Sequence, residues 1–97
     1  MIRSFGDRGT EDVFNGVDSR AARRCCPNTL WAVARRKLDQ LDATVSLEAL
    51  RVPPGNQLEG LKGNRRGQHS IRINEQFRVC FVWTAEGPQE VEIVDYH

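Results

Sequence analysis

HSIRINEQFRVCFVWTAEGPQEVEIV, residues 69–94, is the stretch from which the fold can be read. In it His69, Ile71 and Ile73 alternate with Ser70 and Arg72. Phe77, Val79, Phe81 and Trp83 then alternate with Arg78, Cys80, Val82 and Thr84, and Val91 and Ile93 with Glu90, Glu92 and Val94. A period of two is the signature of half-buried strands, so the stretch predicts three of them. The links Asn74-Glu75-Gln76 and Ala85-Glu86-Gly87-Pro88 are short enough for hairpins, which makes the strands an antiparallel meander. Leu61-Lys62 is a candidate further strand ahead of it. Opposite the large apolar side chains, the same alternation puts Arg72 and Arg78 together on the less apolar face.

Working back toward the N-terminus, the period changes. Leu30, Ala34, Leu38, Leu41 and Val45 recur at spacings of three and four beside Trp31, which predicts an amphipathic helix over 27–43 with Pro27 in its first turn. Thr10 followed by Glu11 and Asp12 reads as an N-cap with acids in the first turn, and Gly16 as a terminator, so 10–16 is a short helix. Ile2-Arg3-Ser4-Phe5 reads as a short opening strand, 46–50 as an extra turn, and Val52-Pro53-Pro54-Gly55-Asn56 as a loop. Residues 17–27 match no element. Helices followed by strands give an α+β fold, with two N-terminal helices packed on one face of a small, mainly antiparallel sheet.

The 97 residues suffice for a single domain, 1–97, able to bury a core without disulfides. Three cysteines, two of them adjacent at Cys25-Cys26, are not a secreted disulfide framework and suit a reducing compartment. The opening residues carry no apolar signal segment and no stretch is long enough to span a membrane, so the expected location is cytoplasmic. The net charge of +1 argues on its own against a strongly basic nucleic-acid binder. That total conceals segregation. Residues 19–38 hold Arg20, Arg23, Arg24, Arg35, Arg36 and Lys37 without an acid, and 60–74 hold Lys62, Arg65, Arg66 and Arg72 likewise. The acids Glu86, Glu90, Glu92 and Asp95 gather in 86–95.

Several chemistries lack support. The histidines and cysteines have no zinc-ligand spacing, so no metal is expected. No Walker loop, dinucleotide fingerprint or nucleophile elbow is present, so no cofactor is expected either. What remains is the strand system with its cations, Lys62 and Arg65 ahead of it and Asp95-Tyr96-His97 at its end.

These residues resemble a known family. Leu58-Glu59-Gly60-Leu61-Lys62-Gly63-Asn64-Arg65, Gly67-Gln68-His69-Ser70-Ile71-Arg72-Ile73-Asn74, Phe77-Arg78-Val79-Cys80-Phe81 and Val91-Glu92-Ile93-Val94-Asp95-Tyr96-His97 are similar to HigB-type toxins of the RelE/ParE superfamily. The likeness is closest over 47–97 and loosest over 6–29. It implies a metal-independent ribonuclease toxin that cuts mRNA in the A site of the translating 70S ribosome, neutralised by a HigA-type helix-turn-helix antitoxin and meeting operator DNA only through that complex. It further implies Asp95, Tyr96, His97 and Arg78 as the catalytic cluster, with Lys62 binding RNA; Arg72 joins the RNA-binding set from the face it shares with Arg78, and Arg65 with Lys62 from the loop expected to lie beside the meander. Some family members have histidine where this chain has Glu59. The chemistry is coherent, because metal-free RNA cleavage needs a base for the ribose 2′-hydroxyl, an acid for the leaving 5′-oxygen and cations for the phosphate. His97 and Asp95 each fit the proton-transfer roles. Tyr96 fits base stacking, and Arg78 and Lys62 fit the phosphate. Two other functions fit the fold: a ParE-like toxin that binds gyrase and cleaves nothing, and an interaction module whose 19–38 cations dock an acidic partner.

Overall fold

Asp7, rather than Thr10, opens the first helix. The computed structural model describes residues 1–96. In it α1 spans Arg8–Asn15, and the Asp7 carboxylate accepts a hydrogen bond from the Thr10 amide at 2.6 Å. Asp and Thr are both good caps, so the local sequence did not separate them. Thr10 is instead buried, and its hydroxyl accepts from the Ile93 amide at 2.9 Å, pairing a donor on an edge strand. Gly16 ends α1 as expected, with φ of 75° and its amide turned back to the carbonyls of Asp12 and Val13.

The unassigned residues 17–27 contain a helix, α2, spanning Arg20–Cys25. Six residues are too few to display a helical period, and tertiary contacts supply what the local pattern lacks. Ser19 caps α2 by accepting from the Ala22 amide at 3.0 Å and donates to Asp12 of α1 at 2.6 Å. The two helices cross at Gly9, where a Cβ would run into the Ala21 carbonyl oxygen and approach the Cβ of Cys25 to 2.8 Å. The helix expected over 27–43 begins with a 3₁₀ turn at Asn28–Leu30 and continues as α3, Trp31–Ala43. Ala34, Leu38 and Leu41 form its buried stripe. Val45, expected to continue that stripe, is 94% exposed, because the chain turns extended at Thr44 and leaves the helix axis.

The sheet runs β1 (Glu59–Gly60), β2 (His69–Arg72), β3 (Phe77–Thr84) and β4 (Gly87–Asp95), each antiparallel to its neighbour in sequence order. The first strand thus lies two residues earlier than the expected Leu61-Lys62. The opening segment contributes one parallel bridge, Phe5 to Val91, and hydrogen bonds from Arg3 to Pro88 and from Gly6 to Val91 that cover part of the β4 edge. Ile71, Val79, Phe81, Val91 and Ile93 turn one sheet face toward Val13, Ala34, Leu38 and Leu41, and this layer is the core. The expected α+β architecture holds, with one helix more than the periodicity announced. Among the described residues no helix is long and apolar enough to cross a membrane.

Candidate functional site

With one sheet face committed to the core, the other is read from the register. One transverse row runs Glu59, Ser70, Cys80, Glu92, and the next runs Arg72, Arg78, Val94. Arg72 and Arg78 are therefore directly opposite each other, as the alternation implied. Neither has a carboxylate partner in a salt bridge among the described residues. Like charges at opposed positions work against strand pairing, so the juxtaposition is a local conflict that a bound anion would relieve.

The turn between β2 and β3 and the end of β4 meet beside these arginines. The Asn74 side chain accepts from the amides of Gln76 and Phe77 at 2.9 and 2.7 Å and so shapes the turn. Its backbone carbonyl accepts from Nη1 of Arg78 at 2.8 Å. The Arg78 guanidinium lies over the Tyr96 ring, 5.5 Å from its centre, a cation–π contact that presents an aromatic face and a charge together. The Tyr96 amide donates to the Gln76 carbonyl at 2.6 Å, fixing the chain at the point where β4 ends.

Asp95 is placed differently. It pairs with Phe77 in the register, so it has the parity of the core-facing residues, but it stands exposed at the sheet end and accepts from Nε2 of Gln76 at 3.1 Å. Gln76, which the sequence did not single out, thus connects Asp95 and Tyr96. His97, the remaining member of the expected cluster, lies outside the described residues. Lys62 is exposed at the start of a 3₁₀ turn, Gly63–Arg65, in the loop joining β1 to β2.

Arg65 is engaged with protein. Its Nη1 donates to Glu92 at 2.7 Å and to Gln68 at 3.0 Å. The Glu92 carboxylate holds the guanidinium in its charged form, above the ordinary arginine range. Burial pushes the Cys80 thiol up, which makes it a poor nucleophile. Glu92 and Gln68 escaped the sequence reading because each needs a partner distant in the fold to acquire meaning.

The basic window over 19–38 is less free than its residue count suggests. Lys37 donates to Asn56 at 2.5 Å, and burial holds its ammonium below the usual lysine range. Arg23 pairs with Asp18. A groove of about 200 Å³ lies on this helical side between Val13, Val17, Trp31 and Arg35, away from the open arginine face.

Comparison with known proteins adds the following. A family model described as RelE-like toxin of type II toxin-antitoxin system HigB matches residues 3–97. Toxin HigB-1 of Vibrio cholerae serotype O1 (strain ATCC 39315 / El Tor Inaba N16961) is 40% identical over 83 residues, covering 86% of this chain and 84% of that toxin. An uncharacterized protein of Haemophilus influenzae (strain ATCC 51907 / DSM 11121 / KW20 / Rd) is 40% identical over 55 residues, 57% of this chain and 54% of its own length. Among solved structures, the YoeB-YefM complex from Staphylococcus aureus contains a chain that superposes with a TM-score of 0.54 at 15% identity, covering 100% of this chain and 98% of that one. That last likeness is one of fold.

Proposed function

The chain belongs to the HigB-like family of RelE-like type II toxins, and from that premise we propose that it is a ribosome-dependent mRNA endoribonuclease that acts without a metal or cofactor. The observation that carries the reading is the pairing of Arg78 with Tyr96 beside Arg72, a stacking surface and two cations at the strand end that leads into His97. In this reading Arg78, Arg72 and Lys62 hold the scissile phosphate and its neighbours, and Tyr96 stacks on a base. His97 and Asp95 share the proton transfers between the 2′-hydroxyl and the leaving 5′-oxygen, and either residue fits the base. As negative charge grows on the phosphate, the guanidinium of Arg78 stabilises it more than it stabilises the ground state.

The partner in this reading is a HigA-type helix-turn-helix antitoxin, through which alone the toxin meets operator DNA. The toxin-antitoxin family, and a neighbour in fold solved as the YoeB-YefM complex, support an antitoxin partner as such. The substrate is mRNA in the A site of the 70S ribosome, in the cytoplasm. The deciding experiment maps mRNA cleavage sites after brief expression of the parent and of His97→Ala. New 5′ ends that appear within reading frames for the parent and vanish for the variant are expected. Intact mRNA with DNA damage as the first response would replace this reading with gyrase inhibition.

A further inference from the structure

The loop between β1 and β2 sends one long side chain across the outer face of the sheet. Arg65 belongs to that loop, and Glu92 stands on β4, with β2 and β3 between. Strands lie about 4.8 Å apart, so β2 and β4 are separated by about 10 Å, and the 2.7 Å contact from Arg65 to Glu92 carries the Arg65 side chain across the outer face above β3. Burial agrees: Ser70 and Cys80, between Glu59 and Glu92 in the same row, are wholly buried although they face away from the core. The loop is also closed on itself, with hydrogen bonds from Leu61 to Gln68 at 2.9 Å, from Gln68 to Arg65 at 3.0 Å and from Arg66 to Gly63 at 3.1 Å. Those bonds tie the loop to itself, and the Arg65 side chain ties it to β4. The side chains of Arg65 and Glu92 are only 32% and 27% exposed, so the pair is better shielded than an ordinary surface ion pair.

We propose that Glu92 is a positioning residue: through Arg65 it holds the 61–68 loop, and with it Lys62, beside the open half of the sheet where Arg72 and Arg78 stand. The proposal rests on the RNA reading of that face. It gives Arg65 an indirect part, because its charge is already matched by Glu92, and leaves direct phosphate contact to Lys62, Arg72 and Arg78.

Five variants test it: Glu92→Gln, Arg65→Glu, the reversed pair Arg65→Glu with Glu92→Arg, Lys62→Ala, and Lys62→Ala with Glu92→Gln. Each is compared with the parent in single-turnover cleavage of ribosome-bound mRNA and, without RNA, in amide hydrogen exchange. Glu92→Gln should slow cleavage about tenfold and speed exchange at Leu61, Arg66 and Gln68, and the reversed pair should return both readouts to within about threefold of the parent. Lys62→Ala should slow the parent but add less than about twofold in the Glu92→Gln background, a coupling that simple loss of stability would not produce. A reversed pair no better than Arg65→Glu, or additive effects of Lys62→Ala and Glu92→Gln, overturns the proposal. Exchange separates the two readings: a parent that cuts nothing sinks the nuclease, whereas unchanged exchange in Glu92→Gln sinks the fastening whatever the cleavage.

Discussion

Arg72 and Arg78 stand opposite each other across β2 and β3, a like-charge pairing that works against the sheet, and the Arg78 guanidinium is held by the Asn74 carbonyl and the Tyr96 ring. Because Arg78→Ala removes the like-charge repulsion together with the Asn74 and Tyr96 contacts, it is expected to change the melting temperature little while lowering cleavage by about 100-fold or more, the scale of losing a donor to a developing oxyanion. Arg78→Lys should recover only part of that loss, because an ammonium neither spreads over the Tyr96 ring nor offers two parallel donors. His97→Ala should abolish cleavage outright. Parallel calorimetry and antitoxin pull-down on the three variants would check that fold and partner binding survive, and parental cleavage by Arg78→Ala would remove Arg78 from the site.

At the scale of elements, the helices are fastened to the sheet by polar contacts as well as by the core. Thr10 is the clearest case, since its hydroxyl is the acceptor for the Ile93 amide, two residues before Asp95. Thr10→Val keeps the shape and removes the acceptor, so it should destabilise by about 1–3 kcal/mol, whereas Thr10→Ser should retain most of the stability. For a chain of this size each kcal/mol lowers the midpoint by about 4–8 °C, which thermal unfolding reads directly. The α1–α2 crossing makes a second expectation. Gly9→Ala forces a methyl group against Ala21 and Cys25 and should cost about 1–3 kcal/mol, although alanine is the better helix former in isolation. A more stable Gly9→Ala protein would show that the crossing is looser than drawn.

For the whole molecule, a net charge of +1 comes with cations on two sides, and only the sheet side presents opposed arginines lacking a salt-bridge partner among the described residues. Binding of a His97→Ala protein to single-stranded RNA should weaken with salt. Arg72→Gln should reduce the slope of log affinity against log salt by about 0.7, the value of one phosphate contact on a single strand. Arg36→Gln, on the helical side, should leave the slope alone; fluorescence anisotropy across a salt series distinguishes the two. The sequence by itself determined the three strands of the meander, their order and the sharing of one face by Arg72 and Arg78, because alternation and short hairpin links are local properties; it set the strand ahead of them two residues late and read a strand where the opening segment makes one bridge. It misplaced the cap of α1, since Asp7 and Thr10 are equally suited to capping, and it left α2 unseen, since six residues show no period. Only the tertiary structure decided which half of the outer face stays open. That division depends on Arg65 meeting Glu92, 27 positions along the chain, and on Gln76 joining Asp95 to the β2–β3 turn. Such contacts leave no mark in local pattern, because their partners become neighbours only when β2, β3 and β4 are already side by side.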